Sequence, residues 1–275
     1  MAEQRTIVIT GASDGIGAAA ARQLTERGDD VVLVGRSPDK TKRIADELGR
    51  PYHLADFVEF DQVRALAREL LDAYPRIDVL ANNAGGIYGQ QTTTDGFDYT
   101  LQINHLSPFL LTSLLLERLI ASKAAVIQTS SAMAKGGRID VDELGTLRKR
   151  SATGAYSDTK LANILFSNEL HRRYHEQGLS AAAFHPGAVA SNFGSSGSAL
   201  VRLTYQLPVM KLFLVDADKG GARLSFLAGG TPGETWQSGG YYEKSRPAGP
   251  VNRQAADPEL ARALWDRSEQ LVSAG

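Results

Sequence analysis

The feature that most constrains the fold of this chain is the regular alternation of short apolar runs with longer helical segments. Residues 6–9 are rich in β-branched side chains and predict a strand, and the alanine-rich segment 16–27 predicts a helix. Further strands are predicted at 31–34, 52–55, 77–81, 124–129 and 179–184, and further helices at 38–48, 60–73, 96–120 and 155–176. Strands separated by helices of this length form a parallel sheet. The pattern therefore predicts a doubly wound α/β domain with about seven parallel strands and helices on both faces.

Composition and charge exclude several classes of function. The chain carries 30 Lys and Arg residues against 31 Asp and Glu residues, a formal net charge of -1 at pH 7, so it lacks the basic footprint of a nucleic-acid-binding protein. It contains no cysteine, which excludes disulfides, thiolate metal sites and cysteine nucleophiles. The first strand begins within a few residues of the start, which predicts no signal peptide and no integral membrane segment. We expect a soluble, cytoplasmic protein that forms a single domain over residues 1–275.

Two stretches interrupt the alternation. Residues 135–153 are polar, charged and poorly periodic, and predict a surface insertion. Residues 188–216 begin as a Gly- and Ser-rich loop and continue as a strongly apolar segment. This second stretch is either a core helix behind a flexible loop or a substrate lid, since open α/β sheets bind ligands beyond the carboxyl ends of their strands. Both interpretations can hold together.

A glycine-rich turn joins the first strand to the first helix. It reads Thr-Gly-Ala-Ser-Asp-Gly-Ile-Gly over residues 10–17. Such glycines allow a ligand to approach the backbone closely, and the N-terminus of the following helix attracts phosphate. A tight turn without a ligand is the alternative, and the spacing departs from the G-x-G-x-x-G fingerprint. The candidate dinucleotide contacts here are Gly11, Ser13, Asp14, Gly15, Ile16 and Gly17.

Tyr156 and Lys160 lie four residues apart in a predicted helix. Side chains at this spacing share one face of the helix, with Cβ atoms roughly 5 to 6 Å apart. The ammonium group of Lys160 can then lower the pKa of the Tyr156 phenol, which makes the phenol a usable proton donor. Taken alone, the same spacing also fits a solvated surface pair.

Several short motifs accompany this pair in order along the chain. They are the glycine-rich turn, Asn82-Asn83-Ala84-Gly85 after the fourth strand, Asn104, the paired serines Ser130 and Ser131 after the fifth strand, and Tyr156 with Lys160. With them the sequence resembles the short-chain dehydrogenase/reductase family, which implies a Rossmann-type domain. Further likeness to the retinol dehydrogenase-like branch lies in Asp95-Gly96-Phe97, Asn104-His105-Leu106 and His185-Pro186-Gly187. The resemblance covers nearly the whole chain.

The resemblance implies four catalytic roles. Tyr156 would protonate a carbonyl oxygen as hydride arrives, and Lys160 would lower the pKa of Tyr156 and hold the nicotinamide ribose. Ser131 would hydrogen-bond the substrate oxygen, with Ser130 as the alternative. Asn104 would interrupt its helix and hold a water in a proton relay to Lys160. Together these residues supply a proton donor, a charge that tunes it and a group that orients the substrate oxygen.

The end of the second strand bears on the choice of cofactor. It reads Gly35-Arg36-Ser37, without the acidic residue that binds the ribose 2′-hydroxyl in NAD-preferring relatives. Arg36 suits a 2′-phosphate, because a guanidinium pairs with phosphate and stacks on adenine. The sequence thus predicts NADP(H), although Asp14 occupies a place where NADP-preferring relatives often have a basic residue. A solvated arginine is the alternative.

The resemblance assigns further cofactor contacts to loops at the strand ends. Asp56 would contact adenine, although a surface aspartate is the alternative. Asn83, Ala84 and Gly85 would border the cofactor, because small residues leave room for it. The turn after the sixth strand would lie near the nicotinamide through Pro186, Gly187, Val189 and Ser191. A simple turn that leaves the sheet is the alternative there.

The implied function is NADP(H)-dependent interconversion of a carbonyl and an alcohol. The retinol dehydrogenase-like pattern and the apolar stretch after residue 200 suggest a hydrophobic substrate, such as an isoprenoid, steroid-like, polyketide or fatty compound. A catalytically silent dinucleotide-binding regulatory protein is the alternative. His105 and His185 belong to no cluster with metal-ligand spacing, so no metal is predicted. Family members are often dimers or tetramers, so a homodimer or homotetramer is expected.

Overall fold

An eight-stranded sheet forms the centre of the part of the chain that the structure describes. The structure is a computed structural model and describes residues 4–145, 151–187, 217–249 and 251–273. The strands are β1 (Thr6–Thr10), β2 (Asp30–Gly35), β3 (Tyr52–Leu54), β4 (Val79–Asn82), β5 (Ala125–Thr129), β6 (Ser180–His185), β7 (Gly240–Glu243) and β8 (Arg246–Pro247). Their order across the sheet is β3-β2-β1-β4-β5-β6-β7-β8, and β1 to β7 run parallel. The predicted doubly wound α/β fold is confirmed.

The eighth strand is an addition to the predicted parallel sheet. Glu243 of β7 pairs with Arg246 of β8 in an antiparallel register. The two residues between the strands, Lys244 and Ser245, have φ of 51° and 60°. Positive φ at both central residues is the geometry of a two-residue hairpin turn. A strand of two residues has no periodicity, which is why the sequence pattern did not reveal it.

The helices follow the predicted pattern up to residue 174, except that the helix predicted over 96–120 is divided. They are α1 (Gly15–Glu26), α2 (Pro38–Leu48), α3 (Phe60–Ala73), α4 (Tyr99–Leu101), α5 (Ser107–Leu114), α6 (Leu116–Ala121), α7 (Ala152–Tyr174), α8 (Ala217–Ala228) and α9 (Pro258–Ser273). Two of these helices, α8 and α9, were not predicted. The long helix predicted over 96–120 is divided by a π-helical segment at Gln102–Leu106 and again at Leu115, between α5 and α6. Its start is set by Asp98, whose carboxylate accepts the backbone N–H of Thr100 at 2.8 Å.

Both faces of the sheet are covered by helices. Ile7 and Ile9 point into a core formed with α1, α2 and α8, whereas Val8 points into a core formed with α3, α5 and α7. Successive residues of a strand face opposite sides, so a strand covered on both faces must be apolar at every position. This arrangement explains the continuous apolar runs in the sequence. It also leaves the ends of the strands as the place where polar groups can gather.

The predicted surface insertion at 135–153 is partly buried where the structure describes it. Ile139 and Leu144 lie in a core cluster with residues of α7. The side-chain amide of Asn252 donates to the backbone oxygen of Gly137 at 2.7 Å, which ties this segment to the C-terminal part of the chain. The last residues of the predicted insertion belong to α7, which begins at Ala152.

Candidate active site

A cleft of about 360 Å³ opens at the carboxyl ends of the parallel strands. This is the edge at which open α/β sheets bind ligands. Most of the predicted cofactor-binding and catalytic residues line the cleft: Gly11, Ser13, Asp14, Gly15, Ile16, Arg36, Asp56, Asn83, Ala84, Gly85, Tyr156, Lys160 and Pro186. The lining does not include Gly17, Asn104, Ser131 or Gly187 among the described residues.

The glycine-rich turn brings the N-terminus of α1 to the cleft. Gly11 has a φ of +67°, a conformation that favours glycine. A Cβ atom at Gly17 would lie 2.2 Å from the backbone oxygen of Gly11, so Gly17 is required for packing of the turn on the helix. Asp14 begins α1 by accepting the N–H of Gly15 at 2.8 Å. The helix therefore points its partial positive charge toward the cleft, where phosphate is attracted.

Thr10 holds the glycine-rich turn against the loop that follows β4. Its hydroxyl oxygen accepts the N–H groups of Asn83 and Ala84, each at 3.0 Å, and its hydroxyl donates to the backbone oxygen of Ala81 at 3.2 Å. The Asn83 side-chain amide donates in return to the backbone oxygen of Thr10 at 3.0 Å. The sequence interpretation missed this role of Thr10. The available signal was that β1 ends in a hydroxyl residue and that an asparagine follows β4, which lies beside β1 in the sheet.

Asn104 lies in the π-helical segment, where the helix was expected to be interrupted. Its side chain is buried, and its oxygen accepts the N–H of Gly86 at 2.8 Å. The amide group donates to the backbone oxygen of Gly86 at 2.9 Å and to the hydroxyl of Thr159 at 3.1 Å. A Cβ atom at Gly85 would lie 2.6 Å from the side-chain oxygen of Asn104 and 3.3 Å from Lys160 Nζ. Gly85 therefore leaves the space that the side chains of Asn104 and Lys160 occupy beside the loop after β4.

Tyr156 and Lys160 are both buried in α7 at the cleft wall, with side chains facing the same way. Tyr156 is 5% exposed and Lys160 is 1% exposed, which overturns the alternative of a solvated surface pair. Lys160 Nζ lies 5.4 Å from the centroid of the Tyr156 ring and donates to the backbone oxygen of Thr129 at 2.9 Å. Burial lowers the pKa of Lys160 to about 7, because desolvation penalises the ammonium form.

The two serines after β5 have different partners. The Ser130 hydroxyl is buried and donates to the backbone oxygen of Lys160 at 2.7 Å, so its hydrogen is already used. Ser131 caps a short 3-10 helix at Ala132–Gly136, and its oxygen accepts the N–H of Met133 at 3.2 Å. Because that bond uses Ser131 as acceptor, its hydroxyl can still donate to a substrate oxygen. Ser130 lines the cleft, but the hydrogen bonds favour Ser131 as the donor.

Basic residues lie at the end of the cleft formed by β2 and α2. Arg36 is exposed after β2, and Lys40 lies in the first turn of α2, where its ammonium pairs with the Asp14 carboxylate at 3.1 Å. Lys40 also lines the cleft, and the sequence interpretation missed it. Its pairing offsets the negative charge of Asp14 near the glycine-rich turn. Asp56 is half-buried at the same end and accepts the N–H of Val58 at 3.3 Å.

The turn after β6 borders the other end of the cleft. Pro186 lines the cleft, and Gly187 has a φ of +96°. The N–H of Gly187 donates to Nδ1 of His185 at 3.2 Å. The predicted contacts Val189 and Ser191 fall in the predicted loop or lid at 188–216, which lies outside the described residues.

Two features are absent from the parts of the chain that the structure describes. No helix there is both long enough and apolar enough to cross a membrane. No group of three or more His, Asp or Glu side chains there is arranged to hold a metal ion.

A doubly wound sheet with a glycine-lined cleft at its carboxyl edge is the architecture of dinucleotide-binding α/β proteins. The family model described as short chain dehydrogenase matches residues 5–199. The candidate daunorubicin C-13 ketoreductase DnrU of Streptomyces sp. (strain C5) is 42% identical over 276 residues, which cover 98% of this chain and 92% of that protein. Retinol dehydrogenase 13 of Homo sapiens is 33% identical over 284 residues, covering 98% and 84%. The crystal structure of an uncharacterized protein from Mycobacterium Paratuberculosis has a TM-score of 0.77 and 33% identity, covering 98% and 94%.

The chain therefore belongs to the short-chain dehydrogenase/reductase family of oxidoreductases and has retinol dehydrogenase-like relatives. This family binds a nicotinamide dinucleotide. Solved structures that share the fold carry NADH or an NADP derivative, so the fold alone does not fix which of the two dinucleotides is preferred.

Proposed function

We propose that this oxidoreductase is an NADP(H)-dependent ketoreductase in which Tyr156 is the general acid. The observation that carries the proposal is the joint burial of Tyr156 and Lys160 at the cleft wall. Lysine is among the residues that are almost never fully buried unless paired, and burial here costs the ammonium form much of its hydration. Burial at such a cost in free energy is expected where the charge of the lysine acts on a neighbouring group.

The described residues fit a nicotinamide dinucleotide. The N-terminus of α1 and the glycine at position 11 suit a pyrophosphate, and Gly85 leaves space beside Lys160 that a larger residue would fill. The exposed Arg36 and the nearby Lys40 suit the additional phosphate of NADP(H). This pair of cations is the basis for proposing NADP(H) over NAD(H).

Side chains of the protein account for the transferred proton and for the orientation of the substrate oxygen. When bound, the reduced dinucleotide supplies the hydride that the carbonyl carbon receives. Tyr156 gives its phenolic proton to the carbonyl oxygen, so that C=O becomes CH–OH, and it takes the proton back in the reverse direction. Ser131 donates a hydrogen bond to the same oxygen. The ammonium group of Lys160 stabilises the phenolate that Tyr156 leaves behind.

The role of Asn104 in a water relay stays a prediction. Both polar atoms of its side chain already bond to Gly86 and Thr159. Its supported role is to hold the loop after β4 beside Lys160.

The substrate class is proposed from the relatives. One is named for a ketone of daunorubicin and another for retinol. The relative named as a ketoreductase shares more of the sequence, 42% against 33%. We therefore propose reduction of a ketone on a hydrophobic compound, such as a polyketide. The cytoplasmic location and the homodimer or homotetramer stay predictions.

The test is turnover of NADPH with a panel of apolar ketones, aldehydes and alcohols, including a polycyclic aromatic ketone. Wild-type protein should oxidise NADPH with at least one ketone, and Tyr156→Phe should lose that activity. Tyr52→Phe is the matched control, because Tyr52 is exposed on β3 and is not in the lining of the cleft. Tight NADPH binding without turnover of any compound would favour the regulatory alternative.

A further inference from the structure

The last residue of β6, His185, joins two loops through one ring nitrogen. Nδ1 accepts the backbone N–H of Ala132 at 3.2 Å and the backbone N–H of Gly187 at 3.2 Å. Both donors are amides, so Nδ1 can only be an acceptor in this arrangement. A neutral imidazole with its hydrogen on Nε2 satisfies that requirement, whereas a protonated ring has no acceptor at all.

The two amides belong to the loops that follow β5 and β6, which are neighbours in the sheet. Ala132 directly follows Ser131, and Gly187 lies in the turn after β6 with a φ of +96°. The peptide group between Ser131 and Ala132 is held at both ends, because its oxygen accepts the Tyr241 hydroxyl at 3.4 Å while its N–H bonds to His185. The sheet register sets these two partners, since Tyr241 of β7 pairs with Ala183, two residues before His185.

We propose that His185 is a positioning residue that fixes the Ser131 loop relative to the Pro186-Gly187 turn through two hydrogen bonds to one neutral ring nitrogen. The inference rests on the proposed roles of Ser131 and the turn, which face substrate oxygen and nicotinamide respectively. Geometry errors of about 1 Å in such groups cost roughly 100-fold in rate. A shared acceptor couples both loops, so a shift in one is transmitted to the other.

The surroundings of His185 keep its ring neutral. Burial is the main cause that lowers the pKa of His185, while Glu243 of β7 acts in the opposite direction. The cations Arg223 of α8, Lys135 of the 3-10 helix and Lys244 of the β7–β8 turn lower the pKa further. The ring therefore accepts both hydrogen bonds at neutral pH. Protonation at acid pH removes the acceptor and releases both loops.

The test compares two amides of similar polarity. In His185→Asn the side-chain oxygen can take the place of Nδ1, whereas in His185→Gln the longer side chain puts its oxygen near the place of Nε2. We expect His185→Asn to keep kcat within about threefold of wild type, and His185→Gln to lose at least tenfold in kcat with little change in NADPH Kd. In wild type we expect kcat to fall at acid pH as His185 becomes protonated. This fall should be absent in His185→Asn. Equal losses in both variants, or an unimpaired His185→Gln, would overturn the proposal.

A second measurement does not depend on turnover. Nitrogen NMR of histidine-labelled protein resolves the ring tautomers, and the chain has only 5 histidines, so the His185→Asn spectrum assigns the signal. We expect Nδ1 unprotonated and Nε2 protonated at pH 7. An Nδ1–H tautomer would refute the proposal even in an active enzyme. If the protein reduces no carbonyl but shows the expected tautomer, the proposed function fails while the two hydrogen bonds of His185 stand.

Discussion

Replacing Lys160 with methionine is expected to stabilise the fold while it abolishes turnover. The pKa of Lys160 falls from 10.5 to about 7 on burial. This fall in the pKa corresponds to a cost of about 5 kcal/mol in the folded state at a pH where the unfolded lysine is charged. Methionine has a similar length and no charge, so it avoids this cost. The hydrogen bond to Thr129 is lost, at about 1 kcal/mol, but Asn163 still donates to that oxygen at 3.2 Å.

The pH dependence gives this prediction a definite sign. Below about pH 7 Lys160 is protonated in both states, so the full cost applies. Between about pH 7 and 10.5 the unfolded state binds the proton and the folded state does not, so wild-type stability rises with pH. The methionine variant lacks this rise. Its advantage should be about 2 to 4 kcal/mol at pH 6.5 and should shrink as the pH approaches 10.

Urea unfolding at pH 6.5, 8 and 9.5 measures the difference. Lys42→Met is the control, because Lys42 is exposed on α2 and forms a salt bridge with Asp46, which is also exposed. We expect this variant to change the stability little at any of these pH values. A Lys160→Met protein that is less stable than wild type at pH 6.5 would refute the reasoning. A stability difference that does not change with pH would refute it as well.

Three further predictions follow from other residues of the site and its surroundings. Arg36→Ala and Lys40→Ala should each raise the Kd for NADPH about tenfold, with much less effect on NADH, in fluorescence titrations of both cofactors; equal effects on the two cofactors would contradict the assignment. Burial lowers the pKa of His105 to about 4, so stability is full above about pH 6.5 and falls by up to about 3 kcal/mol as the pH drops toward 4. His105→Phe should reduce that fall in acid-unfolding curves, and an unchanged curve would place the acid sensitivity elsewhere. Gly85→Ala should lower stability by about 1 to 3 kcal/mol and impair turnover, because its Cβ would lie 2.6 Å from the Asn104 oxygen; a fully active variant would show that this space is not needed.

Local sequence signals were enough to predict many of the elements. The helix Pro38–Leu48 has proline at its first position and Gly49 in the left-handed conformation at its end, with a φ of 62°. The helix Phe60–Ala73 matches the predicted bounds, because its apolar residues recur with helical spacing. Tyr156 and Lys160 could be paired from their spacing, since a helix face is a local property. Their burial could not be predicted from local signals, because it depends on the packing of α7 against the sheet.

Contacts between distant segments could not be predicted. The pairing of Lys40 with Asp14 depends on how α2 lies beside the start of α1, and no periodicity encodes that. The distinction between Ser130 and Ser131 depends on which backbone oxygen or amide each hydroxyl meets after folding. The two hydrogen bonds of His185 link residues that are 53 and 2 positions away. Each of these features arises where strand ends from separate parts of the chain meet.

The most direct test of the central claim is a single-turnover measurement of hydride transfer with NADPH and the best ketone from the panel. Wild-type protein in excess over NADPH should oxidise it in one phase, and Tyr156→Phe should bind NADPH with an unchanged Kd but react at least about 100-fold more slowly. That result would identify Tyr156 as the proton donor beside the bound cofactor. A Tyr156→Phe protein that reacts within tenfold of wild type would contradict the account.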